Sequence, residues 1–265
     1  MEVHMAKQQI KHILNCKESR DPKNDWRIEH AMDAGIVSAP AMIPPQKDLR
    51  ALWWKIGNQL HTGACVGWAT ADSVLRWHFV KAGRILNDKL LSPRFIWMAS
   101  KETDQYTSVP TTFIELEGTS LKAALDIARK FGTVPDAALP FNSGKLYPND
   151  AQSFYAAASQ LKISGYYNLG TNMANWRLWL ATKGPILTRL DVDATWDNAT
   201  QNGGRMDVYQ PATVRGGHAV ALVGYTPDRF IVRNSWGTVW GDKGYGYASI
   251  AYAHAAFTEA YGVTV

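Results

Sequence analysis

A long apolar run at residues 66–80 constrains the fold of this 265-residue chain more than any other stretch. As a helix, the run would carry apolar side chains along two faces, so we expect it to be buried between two layers of structure. Cys65 stands directly before the run and follows the pair Gly63-Ala64. A cysteine at the start of a helix is biased towards the thiolate by the helix dipole and the unpaired N–H groups there. A free cysteine is, by itself, more often a small buried hydrophobic residue, so this interpretation depends on the rest of the chain.

The amino-acid composition indicates a folded globular protein and disfavours several other classes. Hydrophobic residues make up 46% of the sequence and charged residues 19%, which is typical of a globular chain and not of a disordered one. The net charge of +5 is not gathered into a basic arm or stripe, so we expect no nucleic-acid partner. No apolar run approaches the roughly 20 residues needed to cross a bilayer, so we expect no membrane partner. We expect a monomer.

The two cysteines, Cys16 and Cys65, are too few for a disulfide framework or a cysteine-rich zinc site. Cys16 is interpreted as a bystander, and the alternative, that it or its neighbours reach the cleft and modulate Cys65, is disfavoured. No metal and no cofactor is predicted, because Asp191 and Asp193 are more simply explained as a solvated turn at a strand end. The first residues lack the apolar segment of a secretory signal, so we expect a cytoplasmic protein or one exported without a classical signal peptide.

The sequence divides into three parts. Residues 1–45 contain several prolines and predict an extended strap or short leader, with one short helix within 7–17. Residues 46–150 predict a helical lobe that carries the cysteine, and residues 151–265 predict a β-rich lobe, which together give an α+β class with two lobes. Further predicted helices cover residues 120–131, 150–160 and 172–182, and predicted strands cover 186–192, 219–223, 229–233 and 245–250.

Two stretches of the β-rich part supply residues that can act together with Cys65. His218 begins a strand behind the pair Gly216-Gly217, which leaves open space beside the imidazole. Asn234 ends the next predicted strand. In this interpretation the Cys65 thiolate attacks a carbonyl carbon, and His218 pairs with the thiolate and later protonates the leaving amine. The side-chain carbonyl of Asn234 accepts one ring N–H and so fixes the tautomer and angle of the imidazole.

Two more residues fit this chemistry. Gln59 lies six positions before Cys65, and its side-chain amide is a candidate donor to the tetrahedral oxyanion, together with the backbone N–H of Cys65. Trp236 follows Asn234 closely and is expected to shield the bond between His218 and Asn234 from water. Each residue alone has a simpler explanation as a core histidine, a strand cap or a surface amide. Only their combination favours a catalytic site.

The walls of the substrate site are predicted less firmly by the residues themselves. Gly217 precedes the candidate base and gives no sign of charge-based substrate selection. Val192, Trp196 and Trp236 are candidates for the wall on the leaving-group side. His61 is close to the nucleophile in sequence, but its position on a loop entering a helix favours a surface or rim residue.

From about residue 45 to its C-terminus, the chain resembles the papain-family cysteine peptidases. The matching motifs stand in the family's order: Gln59, Gly63-Ala64-Cys65, Gly217-His218-Ala219, Asn234-Ser235-Trp236-Gly237, Trp240-Gly241 and Gly244-Tyr245-Gly246. The resemblance implies a papain-like two-lobe fold, with an active-site cleft between a helical lobe and a β-barrel-like antiparallel lobe. It also implies hydrolysis of a peptide or protein substrate through a thioester acyl-enzyme, and a preference for an apolar residue two positions before the scissile bond.

Two residues depart from the family's pattern. Thr62 stands where the family usually has a cysteine, so that disulfide cannot form, and Val66 replaces the usual aromatic residue, as in bacterial-type members. Only about 45 residues precede the match, so we do not expect the usual long inhibitory leader. Residues 1–45 could contact the core in either of two ways, and the sequence leaves both open. A strap through the cleft would make the enzyme latent, whereas a strap on the back would leave it active.

Three functions remain open on the sequence alone. The first is hydrolysis of peptide bonds by a Cys65–His218–Asn234 triad with Gln59 as oxyanion donor. The second uses the same acyl-enzyme for other chemistry, such as amide hydrolysis, deamidation, ligation or a narrow cut made by an effector protease. The third is a catalytically silent scaffold that binds peptides, which the four intact residues disfavour.

Overall fold

The computed structural model describes residues 12–38, 40, 42–103, 117–143 and 151–265. The helices are α1 (Ile28–Asp33), α2 (Cys65–Gly67), α3 (Arg76–Lys81), α4 (Pro93–Thr103), α5 (Leu121–Lys130), α6 (Ala151–Ala158), α7 (Met173–Thr182) and α8 (Ile250–Ala256). The strands are β1 (Lys47–Asp48), β2 (Gly165–Asn168), β3 (Ile186–Val192), β4 (Arg205–Met206), β5 (Gly216–Tyr225), β6 (Arg229–Arg233), β7 (Tyr245–Ser249) and β8 (Phe257–Thr264). None of these helices is long and apolar enough to cross a membrane.

The apolar run forms one continuous helical rod, which we call the nucleophile helix. It consists of α2, a π-helical segment at Trp68–Leu75, and α3. Residues 69–79 are all buried, with α4 on one side of the rod and β5 on another, so the prediction of a helix between two layers is confirmed. Gly67 allows the close approach to α4, because a β-carbon there would collide with the carbonyl oxygen of Pro93. The π-helical turns were not predicted, since they leave no separate period in so short a stretch.

One sheet holds the β-rich part together, with the strand order β2-β8-β3-β5-β6-β7-β4 and with β1 also paired to β5. Neighbouring strands are antiparallel, as predicted, except for the two-residue contact between β4 and β7, which is parallel. Predicted strands 186–192 and 229–233 coincide with β3 and β6, and 219–223 lies within β5. The predicted α+β class is confirmed.

The predicted helices at 120–131, 150–160 and 172–182 appear as α5, α6 and α7. Ser120 and Asn172 cap α5 and α7, since each side-chain oxygen accepts a backbone N–H from the first turn. The short helix predicted within 7–17 is absent from residues 12–17, which have no helical turn. The lobe boundary predicted between residues 150 and 151 falls at the end of 144–150, outside the described residues.

Three elements of the β-rich part were not predicted from the sequence: β2, α8 and β8. The strand β8 pairs with both β2 and β3 and so lies inside the sheet. The sequence of β8 does not indicate a central strand, because it contains polar residues and directly follows a helix. Strand preference depends on pairing partners more than on local sequence. The sheet carries a hydrophobic cluster on each side, one shared with the nucleophile helix and one with α7 and α8. The start of the nucleophile helix therefore meets the start of β5 and the end of β6.

Candidate active site

Cys65 is the first residue of α2, and its side chain is completely buried. The pKa of its thiol lies well below the ordinary value, mainly because the Cys16 thiol donates a hydrogen bond to the Cys65 sulfur. Burial opposes this shift, whereas the imidazole of His218 and the backbone N–H of Ala219 add to it. These donors and the start of the helix all favour the thiolate. Cys65 therefore remains the candidate nucleophile.

His218 and Asn234 form the hydrogen bond predicted from the sequence. His218 Nε2 lies 2.8 Å from Asn234 Oδ1, and both side chains are buried. Asn234 Oδ1 also accepts the backbone N–H of Ser235 at 2.8 Å, which fixes this atom as the acceptor. The proton of the pair is therefore on Nε2, and Nδ1 is free of oxygen and nitrogen partners among the described residues. The imidazole can thus pair with the Cys65 sulfur through its other nitrogen.

Two tryptophans enclose the imidazole of His218. The ring of Trp236 lies 4.8 Å from the imidazole at an angle of 31°, and the ring of Trp196 meets it edge-on at 5.6 Å. Trp236 is 4% exposed, so it keeps water away from the bond to Asn234 as expected. Shielding of this kind strengthens a hydrogen bond, because water no longer competes for either partner.

Asp193, which was interpreted as part of a solvated turn, is completely buried, so that interpretation is wrong. Its carboxylate accepts hydrogen bonds from the hydroxyl groups of Tyr252 at 2.6 Å and Thr195 at 2.8 Å. The Tyr252 hydroxyl in turn accepts the indole N–H of Trp196 at 3.0 Å. The carboxylate therefore holds Trp196 in place beside the imidazole. The sequence could not predict this, since Tyr252 lies on the unpredicted helix α8.

Gln59 is completely buried and its amide is fixed at both ends. The hydroxyl group of Ser235 donates to Gln59 Oε1 at 2.8 Å, so this atom is the carbonyl oxygen, and Nε2 donates to the carbonyl oxygen of Thr62 at 3.0 Å. An amide nitrogen carries two hydrogens, so one remains to donate to an oxyanion. Thr62, the position of the family's missing cysteine, thus orients the candidate oxyanion donor through its backbone.

The N-terminal strap, here residues 12–19, lies across this site. The backbone N–H of Cys16 donates to the carbonyl oxygen of Gly217 at 3.0 Å, and that of Lys17 donates to Thr119 at 3.0 Å. Arg189 Nε donates to the carbonyl oxygen of Cys16 at 3.1 Å. A β-carbon at Gly217 would collide with that same carbonyl oxygen. The strap is therefore bonded to two walls of the cleft, directly over the nucleophile.

The start of the strap covers the leaving-group side of the site. The imidazole of His12 stacks on Trp236 with the ring centroids 4.0 Å apart and the planes 5° from parallel. Burial and the nearby charge of His218 lower the pKa of His12 to about 4, although a hydrogen bond to the carbonyl oxygen of Leu60 opposes the shift. His12 is therefore neutral at physiological pH and packs as an aromatic ring.

The predicted wall residues lie around the site, but with little free surface. Gly217 is beneath the strap, and Trp196 and Trp236 border a pocket that His12 also lines. Val192 is completely buried, opposite Gly216 in the sheet, so its contact with substrate stays a prediction. Within the described ranges, no group of three histidine, cysteine or acidic side chains could hold a metal ion.

Of the residues beside the candidate nucleophile, Cys16 was expected to be a bystander and Arg189 was not singled out. The backbone bond of Cys16 to Gly217 and its interaction with Cys65 favour the other interpretation, in which Cys16 reaches the cleft. No signal in the sequence relates the two cysteines, because the strap reaches the site by a path without a regular period. Arg189 lies within the apolar alternation of β3 and gave no sign of facing the strap.

A family model described as papain family cysteine protease matches residues 43–260. Among curated proteins, Peptidase 1 of Psoroptes ovis is 29% identical over 243 residues, which cover 83% of this chain and 66% of that protein. Cathepsin B-like CP2 of Giardia intestinalis is 30% identical over 44% of this chain and 41% of its own. This chain thus spans two thirds or less of the length of these relatives. Among solved structures, xylellain, a cysteine protease from Xylella fastidiosa, superposes with a TM-score of 0.75 at 19% identity, over 98% of both chains.

Proposed function

Because this chain belongs to the papain family of cysteine proteases, we propose that it hydrolyses peptide bonds through a thioester on Cys65. The family and the α+β papain-like fold agree with the resemblance seen in the sequence. The observation that carries the proposal is the 2.8 Å bond from His218 to Asn234, in which the free ring nitrogen is left for the thiol. A scaffold that only bound peptides would not need a buried, oriented imidazole beside a thiolate.

The proposed reaction uses each residue for one task. The Cys65 thiolate attacks the scissile carbonyl carbon, and the oxyanion that forms is stabilised by Gln59 Nε2 and the backbone N–H of Cys65. The His218 imidazolium protonates the leaving amine, which departs and leaves the thioester. Water then attacks the thioester while His218 takes its proton, and the carboxylic acid and thiolate are released. Asn234 keeps the imidazole in one tautomer and angle throughout.

The strap makes the described arrangement a latent form of the enzyme. The strap's backbone is bonded through Cys16 to Gly217, the residue before His218, and through Lys17 to Thr119. A substrate carbonyl cannot approach the sulfur while these contacts persist. Catalysis therefore requires the strap to move away or to be cut.

The proposal is tested with the purified chain under reducing conditions. We expect the wild type to cleave casein and short peptide substrates, and we expect an epoxide-type thiol inhibitor to label Cys65. The variant Cys65→Ala should do neither, and it should keep its strap during incubations in which the wild type loses it by self-cleavage. Mass spectrometry of the products separates peptide hydrolysis from deamidation or ligation. An intact Cys65 that neither reacts with the inhibitor nor supports any acyl transfer contradicts the proposal.

A further inference from the structure

The structure brings together two thiols that lie far apart in the sequence. Cys16 and Cys65 are both free, are 3% and 0% exposed, and belong to the same buried cluster. The two thiols interact, and this interaction lowers the pKa of Cys65 and raises that of Cys16, while the Cys16 thiol also lies 3.7 Å from the carbonyl oxygen of Lys17. Peptide hydrolysis has no use for a second thiol at this place. Cys16 therefore needs another explanation.

The backbone on both sides of Cys16 is held by specific partners. Its N–H donates to Gly217 and its carbonyl oxygen accepts from Arg189 Nε, which fixes the residue against β5 and β3. Arg189 is itself held by Asp191 at 3.1 Å and by the hydroxyl group of Thr258 at 2.7 Å. These bonds fix the backbone of Cys16 beside Gly217, the residue that precedes His218.

The anchoring continues along the strap beyond Cys16. Lys17 N–H donates to the carbonyl oxygen of Thr119, and Ser19 N–H donates to Glu259 Oε1 at 2.9 Å. The contact between the two sulfurs is thus built into the chain by a series of bonds on both walls. A covalent bond between them would keep this arrangement and add a lock to it.

We propose that Cys16 and Cys65 form a disulfide under oxidising conditions, which holds the strap over the site until a thiol reductant releases it. The prediction that this disulfide abolishes activity rests on the proposed function, whereas the prediction that the disulfide forms does not. With hydrogen peroxide as oxidant, the Cys65 thiolate takes up one oxygen atom and becomes a sulfenic acid as the peroxide O–O bond breaks. The Cys16 sulfur then attacks the sulfenic sulfur, the S–S bond forms and water leaves. In total, two thiols and one peroxide give one disulfide and two waters.

The order of these steps follows from the two sulfurs. Cys65 is oxidised first, because its pKa is lowered by the hydrogen bond from Cys16, and the thiolate is the reactive form. Burial, together with the bond to Cys65, raises the pKa of Cys16, which keeps this thiol protonated until Cys65 has reacted. Peroxide reaches the site when the strap opens briefly, and closure then returns Cys16 to the sulfenic acid. The bond therefore also protects Cys65 from irreversible oxidation.

The test compares the wild type with Cys16→Ser and Cys16→Ala after treatment with hydrogen peroxide. Free thiols are then blocked with iodoacetamide, and intact masses and peptide maps are recorded without reductant. In the wild type we expect loss of two hydrogen atoms, no alkylation, and a cross-linked peptide pair that contains Cys16 and Cys65. Dithiothreitol should remove the cross-link and restore activity. In both variants we expect Cys65 to reach the sulfinic or sulfonic acid, with activity that dithiothreitol does not restore.

Two results would overturn the proposal. One is a wild type in which Cys65 becomes sulfinic or sulfonic acid as readily as in the variants, with no cross-linked pair. The other is a disulfide that joins two chains through Cys16. Neither depends on turnover, so the outcomes separate the two proposals. A protein that forms the cross-link but stays inactive after dithiothreitol has removed it would contradict the proposed function alone, whereas an active protease that never forms the cross-link would contradict the disulfide alone.

Discussion

The Arg233 guanidinium donates a 2.7 Å hydrogen bond to the Asp72 carboxylate, and both side chains are buried. Asp72 lies on the nucleophile helix that begins at Cys65, and Arg233 directly precedes Asn234. The ion pair thus ties the element that carries the nucleophile to the residue before the orienting amide. The guanidinium carbon of Arg233 also lies over the Trp54 ring, 4.8 Å from the ring centroid, which adds a cation–π contact.

We expect Arg233→Met to lower the free energy of unfolding by about 3 kcal/mol, which is the lower end of the range for breaking a buried ion pair. The lower end applies because the Asp72 carboxylate keeps its other partner, Arg76. Urea unfolding of the Cys65→Ala background measures this without self-cleavage. Asp72→Leu should be at least as destabilising, because it leaves two buried guanidinium groups, those of Arg76 and Arg233, without their shared carboxylate. A single variant as stable as its parent would show that the pair does not hold the two elements together.

The candidate catalytic residues could be identified in the sequence because each has a local signature. Cys65 begins an apolar helix, His218 follows two glycines, and Asn234 ends a regular strand. Cys16 and Asp193 could not be predicted, because their roles depend on partners brought near by tertiary structure. A thiol on an irregular strap and a carboxylate beside an unpredicted tyrosine carry no such local pattern. The two lobes followed from periodicity, whereas the parallel edge and the course of the strap did not.

Gln59→Met removes the candidate oxyanion donor, adds no charge beside Cys65 and keeps a side chain of similar length. We expect kcat to fall by about 10² to 10³-fold, the usual effect of losing one such donor. Alkylation of Cys65 by iodoacetamide should change little, because that reaction forms no oxyanion. If kcat and alkylation fall together, Gln59 supports the structure of the site and does not stabilise the oxyanion.

Gly217→Ala should displace the strap, since its β-carbon would collide with the carbonyl oxygen of Cys16. We expect faster alkylation of Cys65 and faster hydrogen exchange at the Cys16 amide, which donates to Gly217. Gly165→Ala is the matched control, because the nearest atom to a β-carbon there is 3.5 Å away. Equal rates in the two variants would mean that the strap does not depend on close approach at Gly217.

Acid should loosen the strap through His12. With the strap closed, burial and the nearby charge of His218 lower the pKa of His12 from 6.5 to about 4, and His61 and Arg215 act in the same direction. A released strap binds the proton at the ordinary pKa, so closure is most favourable above pH 6.5 and weakens as the pH falls from 6.5 towards 4. Below pH 4, His12 is protonated whether the strap is closed or released, so closure weakens no further through this residue.

Hydrogen exchange of the strap peptide, corrected for its intrinsic pH dependence, measures this opening. In the Cys65→Ala background we expect progressively more exchange between pH 6.5 and 4, the two pKa values of His12. His12→Phe keeps an aromatic ring that can stack on Trp236 but cannot gain a proton, so its opening should not change over this range. If the phenylalanine variant opens with acid as readily as its parent, a group other than His12 controls the strap.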